Sequence, residues 1–239
     1  MRYFTKEWYN NTLVAQMCFQ LRKTEKAAKY SDKFYERLYT VEEKAYIRYR
    51  KRELRVMRQN ETVENLKEEF RQNTETNLEF VKNNLPDDIL SEIADIRILA
   101  LGSVTSAMYD KITRYCGKVN GKCECAKRAY EEACEEAFEA IDSKTAKIIS
   151  NMQGAEMLSI NKSGDDLILE LSDDYSDISI TLTRGVQTEE NAISEACFVT
   201  KSELILNEDK KLELSLLCIA DNLNLYTFSF IADAISASK

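Results

Sequence analysis

Ile178-Ser179-Ile180-Thr181-Leu182-Thr183 alternates an apolar residue with a hydroxylic one through three full periods. A period of two marks a half-buried strand, because successive side chains of an extended chain point to opposite faces. Leu167, Leu169 and Leu171 repeat the scheme upstream, and Leu212, Leu214, Leu216 and Cys218 repeat it downstream. Lys162-Ser163-Gly164-Asp165 carries turn chemistry between residues 157–161 and 166–171, which predicts a hairpin. Asp221-Asn222 turns the chain again before residues 223–230. The pattern predicts five or six antiparallel strands with one wet, acidic face; residues 185–196 show no such pattern.

Before about residue 150 the period changes to that of a helix. Ile89, Ile93, Ile96, Ala100, Val104, Met108 and Ile112 recur every three or four positions after Pro86, which predicts a helix buried along one face. Leu13, Met17 and Leu21 mark a helix over residues 5–29, and Ser31-Asp32 offers a fresh start. Thr40-Val41-Glu42-Glu43 matches a capping box and predicts a helix over 41–59. Val63, Leu66 and Phe70 stripe a helix over 61–82, and Asn120-Gly121 reads as a turn before a last helix over 122–149. Charge changes at the same boundary: residues 1–151 hold 27 Lys/Arg against 25 Asp/Glu, and residues 152–239 hold 6 against 16. The expectation is an α+β protein, with an N-terminal helical bundle (1–151) followed by a C-terminal antiparallel β-sheet domain (152–239).

The chain has 239 residues and no histidine. Ser-His-Asp and Cys-His triads, mixed Cys/His zinc sites and Glu-x-x-His di-iron motifs all require that side chain, so most hydrolytic and metal-dependent chemistry in its usual form is excluded. No catalytic residue and no cofactor is expected. The longest apolar runs, 96–101 and 214–220, are far short of the roughly 20 residues that cross a bilayer, so no membrane partner is expected. The opening carries no secretory pattern, and seven irregularly placed cysteines fit free thiols in a reducing cytoplasm.

Two groups of residues suggest sites. From Arg22 to Arg58 there are 13 basic residues against 6 acidic ones, interleaved with tyrosines. Within 44–58, Arg48, Arg50, Lys51, Arg52 and Arg55 suit phosphate binding, with tyrosines stacking on bases. The same stretch also reads as an amphipathic helix whose basic face is solvated or meets an acidic partner, and docking on the acidic β region of the same chain is the favoured reading. Cys116, Cys123, Cys125 and Cys134 offer four thiolates for a metal or redox site, with Lys122, Lys127 and Arg128 near enough in sequence to favour a thiolate at Cys123 or Cys125. Their C-x6-C-x-C-x8-C spacing matches none of the paired metal-binding patterns, and structural thiols are the other reading. Glu131, Glu132, Glu135, Glu136 and Glu139 belong on solvated helix faces. Asp165, Asp166, Asp173, Asp174 and Asp177 have calcium-type oxygens without the EF-hand spacing, and turn chemistry explains them.

The opening Met1-Arg2-Tyr3-Phe4-Thr5-Lys6-Glu7-Trp8-Tyr9 resembles that of the bacterial DUF4085 proteins, a family of unknown function. Gly164-Asp165-Asp166-Leu167-Ile168-Leu169-Glu170-Leu171 and Leu223-Asn224-Leu225-Tyr226-Thr227-Phe228-Ser229-Phe230 are similar too. The resemblance implies a charged helical region joined to a C-terminal β region, and no activity. Related β regions carry a His-Asp pair where this chain reads Gln153-Gly154-Ala155. The functional expectation is a non-enzymatic cytoplasmic protein-interaction module, immunity-like or regulatory, using the acidic β face or its junction with the helices. The alternatives are nucleic-acid binding through 44–58 and a cysteine-based site over 116–134.

Overall fold

Capping and breaking residues set the helices of the computed structural model, which describes residues 1–173, 175–188 and 196–239. Helix α1 is Lys6–Gln16, ending earlier than its apolar stripe predicts; a 3-10 turn at Met17–Gln20, a short strand β1 (Arg22–Lys23) and a second 3-10 turn at Glu25–Ala28 replace the rest. Helix α2 is Asp32–Val56, and Ser31 caps it by accepting the Phe34 N–H. No helix starts at Thr40: its hydroxyl donates to the Glu36 carbonyl at 2.9 Å, inside one uninterrupted helix. Helix α3 is Val63–Asn84, capped by Thr62 through the Asn65 N–H.

The long helix predicted after Pro86 is instead broken into α4 (Asp87–Leu90), α5 (Ile96–Ala100), β2 (Ser103–Val104) and the start of α6 (Ser106–Ala133). Asp95 caps α5, and Gly102 takes a φ of 74° that a side chain would strain. Asn120-Gly121 makes no turn, since α6 runs through it. Helix α7 (Glu135–Glu139) and α8 (Ser143–Asn151), capped by Asp142, complete the helical elements among the described residues.

Residues 13–120 form one compact unit, and residues 1–12 with 121–239 form the other, a division that differs from the compositional boundary near residue 151. In the first unit β1 pairs in parallel with β2, and the core gathers Cys18, Val81, Leu85, Ile89, Leu99, Ile112 and Cys116.

In the second unit the strands are β3 (Glu156–Ser163), β4 (Asp166–Ser172), β5 (Asp177–Thr183), β6 (Val186–Gln187), β7 (Cys197–Leu206), β8 (Leu212–Ala220), β9 (Leu225–Ala232) and β10 (Ala234–Ser238). The predicted hairpin is present, with Gly164 at φ 64° between β3 and β4. The order is β10-β5-β4-β3-β7-β8-β9-β6, every adjacent pair antiparallel. Its two ends meet. β6 continues β5 past a kink at Arg184-Gly185, and β10 continues β9 past Asp233. Ile235 of β10 lies opposite Leu182 of β5, and Val186 of β6 opposite Ile231 of β9, so the sheet curls round and closes.

The alternating residues point inward. Leu169, Leu171, Ile178, Ile180, Leu182, Leu214, Leu216, Phe228 and Phe230 pack in one core with Ile148 and Ile149 of α8 and with Met152 just past its end. Burial of that much apolar surface is the main stabilising term, at about 1.5–3 kcal/mol for each large side chain. Helix α8 is pinned by the Ala237 N–H donating to Thr145 Oγ1 at 2.9 Å and by Ser202 Oγ donating to the Ile149 carbonyl at 3.2 Å. On the outer face, Glu203, Ser215 and Ser229 lie opposite one another across β7, β8 and β9. All three are buried, and the Ser215 and Ser229 hydroxyls lie 2.8 Å apart.

The opening motif finishes this face. The backbone N–H groups of Arg2 and Tyr3 donate to the Glu203 carboxylate at 2.8 Å each, and that of Phe4 at 2.5 Å. The Phe4 ring packs against Trp8 and Tyr130 at 4.8 and 4.9 Å, and Trp8 Nε1 donates to the Cys123 carbonyl at 3.2 Å. Tyr130 in turn accepts the Leu204 N–H at 3.1 Å through its hydroxyl. The distinctive residues of the motif are thus structural fasteners.

Candidate interaction surface

Helix α2 divides lengthwise. Tyr39 and Tyr46 turn inward and pack on Phe70 of α3 at 5.0 and 5.5 Å. Burial, and secondarily Glu69, pushes the Tyr46 phenol up to about 12; Asn73 Nδ2 donates to its hydroxyl at 3.1 Å. Near the helix start, Arg97 of α5 is sandwiched between the rings of Tyr30 and Tyr35 at 4.6 and 4.5 Å. Its guanidinium meets the buried Asp95 at 2.8 Å and Asp32 at 2.9 Å, so α2 is clamped to α5 as well as packed on α3.

The other face is basic. With about 100° between successive residues, Lys33, Arg37, Lys44, Arg48, Lys51, Arg52 and Arg55 fall within an arc of about 140°. No Asp or Glu lies in that arc between residues 33 and 56. All seven are exposed, and none takes part in an ion pair among the described residues. Val41, Ala45 and Val56 share the arc and are exposed too, Val56 at 81%. The row extends about 33 Å from Lys33 to Arg55 at 1.5 Å per residue.

The structure sorts the predicted phosphate-binding residues. Arg48, Lys51, Arg52 and Arg55 stand together on the basic arc. Arg50 does not: it faces α3, where it bonds Glu69 at 3.3 Å, and it also bonds Glu53 of its own helix at 2.8 Å; its Nε is buried without a partner among the described residues. Most of the interleaved tyrosines expected to stack on bases are spent on the inner face. Tyr49 stands beside the arc with its hydroxyl donating to Glu53. Lys33, Arg37 and Lys44 belong to the surface as well, and the signal for them is the unbroken helix from Asp32.

The cysteine group does not assemble. Along α6, Cys123 is buried while Cys125, two positions on, is exposed on another side, and Cys134 lies at the start of α7, half-buried. Cys116 sits in the core of residues 13–120, its thiol donating to the Val14 carbonyl at 3.2 Å. Burial pushes the Cys116 thiol up to about 11, with Cys18 adding to it, and burial also raises Cys123 and Cys134. The expected thiolate at Cys123 is therefore disfavoured, by burial first and by the adjacent Glu124 second. Among the described residues, no three His, Cys, Asp or Glu side chains are grouped to hold a metal ion.

Several of the described acidic residues of the β region are engaged at home. Asp173 accepts the Ser176 N–H and pairs with Lys239, interactions that hold its carboxyl down at about 2. Asp166 accepts the Arg184 N–H, and Asp177 accepts the Ser172 hydroxyl. Asp174 and residues 189–195, most of the patternless 185–196 segment, lie outside the described residues.

No protein-family model matches the chain, and no curated protein matches it. Among the described residues no helix is long and apolar enough to cross a membrane.

Proposed function

We propose that the protein is a non-enzymatic cytoplasmic interaction module that docks an anionic protein partner on the basic face of α2. One observation carries this reading: seven exposed cations stand in one acid-free arc and none has an ion-pair partner among the described residues. Charges left this way steer and orient an oppositely charged partner more than they stabilise the chain that bears them. The acidic β face is the weaker candidate, because Asp173, Asp233 and Glu213 are paired with Lys239, Arg184 and Arg2. The DUF4085 resemblance adds an architecture and no activity. The length of the cationic row also suits a phosphate backbone, so nucleic acid is the second reading; the inward tyrosines and the net charge of -8 count against it.

A pull-down from the native host at low and moderate salt, with the parent chain and with Arg48→Glu/Arg52→Glu/Arg55→Glu, tests the proposal. A stoichiometric protein retained by the parent and lost by the variant is expected. Recovery of no stoichiometric partner, or equal recovery by both chains, refutes it.

A further inference from the structure

We infer that the partner presents an acidic amphipathic helix, laid along α2; this rests on the docking surface proposed above and specifies what covers it. The centre of the basic arc is a seam. Val41, Ala45, Arg48, Arg52 and Arg55 follow one another at intervals of four, three, four and three residues. That spacing keeps a row of side chains facing a neighbouring helix along its length, and it is the spacing coiled-coil seams use. All five residues are exposed, so the seam is vacant within residues 13–120.

The residue types fit a helix better than a polynucleotide. Val41 and Ala45 at one end are uncharged, and Ala45 lets a second backbone approach closely. Val56 at the other end exposes apolar surface, 81%. Lys33, Lys44 and Lys51 flank one side of the seam, where flanking acids of a partner helix would meet them. A single-stranded nucleic acid would need aromatic platforms as well as cations. Of the tyrosines along α2, Tyr39 and Tyr46 are packed on Phe70 and Tyr35 on Arg97, which leaves Tyr49 beside the arc as a single platform where a strand would need several. An acidic helix with small or apolar residues at four-three spacing satisfies both the charge and the seam.

The experiment uses the full chain and four probes: a 25-residue helix-forming peptide with leucine and alanine at four-three spacing flanked by glutamates, a scrambled peptide of the same composition, polyglutamate, and 12-nucleotide oligo-dT. Binding is followed by fluorescence anisotropy at low and moderate salt. The patterned peptide is expected to bind at least tenfold more tightly than the scrambled one. Ala45→Gln, neutral and on an exposed helix position, is expected to weaken the patterned peptide several-fold and leave polyglutamate unchanged; circular dichroism confirms that the helix persists. Equal binding of patterned and scrambled peptides, or insensitivity to Ala45→Gln, overturns the helical partner while leaving anionic docking in place. Tighter binding of oligo-dT than of any peptide overturns it in favour of nucleic acid. No binding of any probe at low salt overturns the docking surface itself.

Discussion

Replacing Glu203 with alanine should loosen the opening segment from the β unit and destabilise that unit by about 2–4 kcal/mol, the net of two opposed effects. The loss comes from three N–H donors, those of Arg2, Tyr3 and Phe4, which converge on one buried carboxylate at 2.5 to 2.8 Å. Hydrogen bonds to a charged group contribute about 1.5–3 kcal/mol each, so the gross loss is about 5–9 kcal/mol. Against it stands the desolvation of a carboxylate that is only 1% exposed, a cost of several kcal/mol that the alanine variant no longer bears. The freed N–H groups also regain water if the segment peels away, and that peeling exposes Phe4. Glu203→Gln should be milder, about 1–2 kcal/mol, since Oε1 still accepts from Tyr3 and Phe4 while the amide nitrogen opposes the Arg2 N–H. Urea midpoints rank the three chains, and amide exchange at residues 2–4 reports the segment directly. An alanine variant within about 0.5 kcal/mol of the parent, with exchange at those amides unchanged, would refute the fastening role.

Three further outcomes follow from the packing. Gly185→Ala should cost about 1–3 kcal/mol, since an added Cβ would lie 2.8 Å from both Cβ and the carbonyl oxygen of Leu182, and the closing kink has no slack; a urea midpoint equal to the parent's contradicts this. Among the cysteines, Cys125 should react with a thiol reagent in the folded protein, while Cys18, Cys116, Cys123, Cys197 and Cys218 wait for unfolding; mass spectrometry after brief labelling locates the modified thiol. Tyr46 should ionise late, near pH 12, because burial and then Glu69 disfavour the phenolate. A raised phenol stabilises the fold below its ordinary value near 10, and that contribution fades as pH climbs from there to 12; Tyr46→Phe should remove one late step from the ultraviolet titration.

Local pattern carried the strand half of the fold. Leu167 to Leu171 and Ile178 to Leu182 alternate cleanly because they line a core on one face, and Gly164 supplies the turn between β4 and its neighbour β3. Closure of the sheet was not legible, since the kinks at Arg184-Gly185 and Asp233 look like ordinary loop chemistry until their partners are known. Strand β7 hides its alternation behind a bulge between Val199 and Lys201 and behind the buried Glu203, whose donors lie about 200 positions away. In the helical half, a buried stripe at three- and four-residue spacing did not distinguish one long helix from several short ones in the same core, and Asp95 and Gly102 decided that. The apparent capping box at Thr40 concealed the basic arc most: it divided α2 and separated Lys33 and Arg37 from Arg48, Lys51, Arg52 and Arg55. Arg50 looked equivalent to its neighbours in sequence, but two positions from Arg48 or Arg52 is about 200° of helix, which turns it towards Glu69.

The basic arc is held against its own repulsion. Lys33 with Arg37, Lys44 with Arg48, Arg48 with Lys51 and with Arg52, Lys51 with Arg55, and Arg52 with Arg55 are like charges three or four residues apart, and each such pair disfavours a helix by about 0.2–0.5 kcal/mol. The opposite face outweighs this through Tyr39 and Tyr46 on Phe70, the Arg97 clamp and the Ser31 cap. A free chain that carries this repulsion should gain stability from salt, which weakens interactions between exposed charges three and four residues apart on a helix. Arg52→Glu should then do two things at once. It converts the contacts with Arg48 and Arg55 from repulsive to attractive, stabilising the free protein by about 0.5–1.5 kcal/mol at low salt, and it removes a cation from the centre of the seam. A variant that is more stable and binds less well is what a surface kept for a partner predicts. If Arg52→Glu instead lowers the low-salt urea midpoint, or if salt leaves the parent's stability unchanged, the seven cations are not in the mutual repulsion that this arrangement implies.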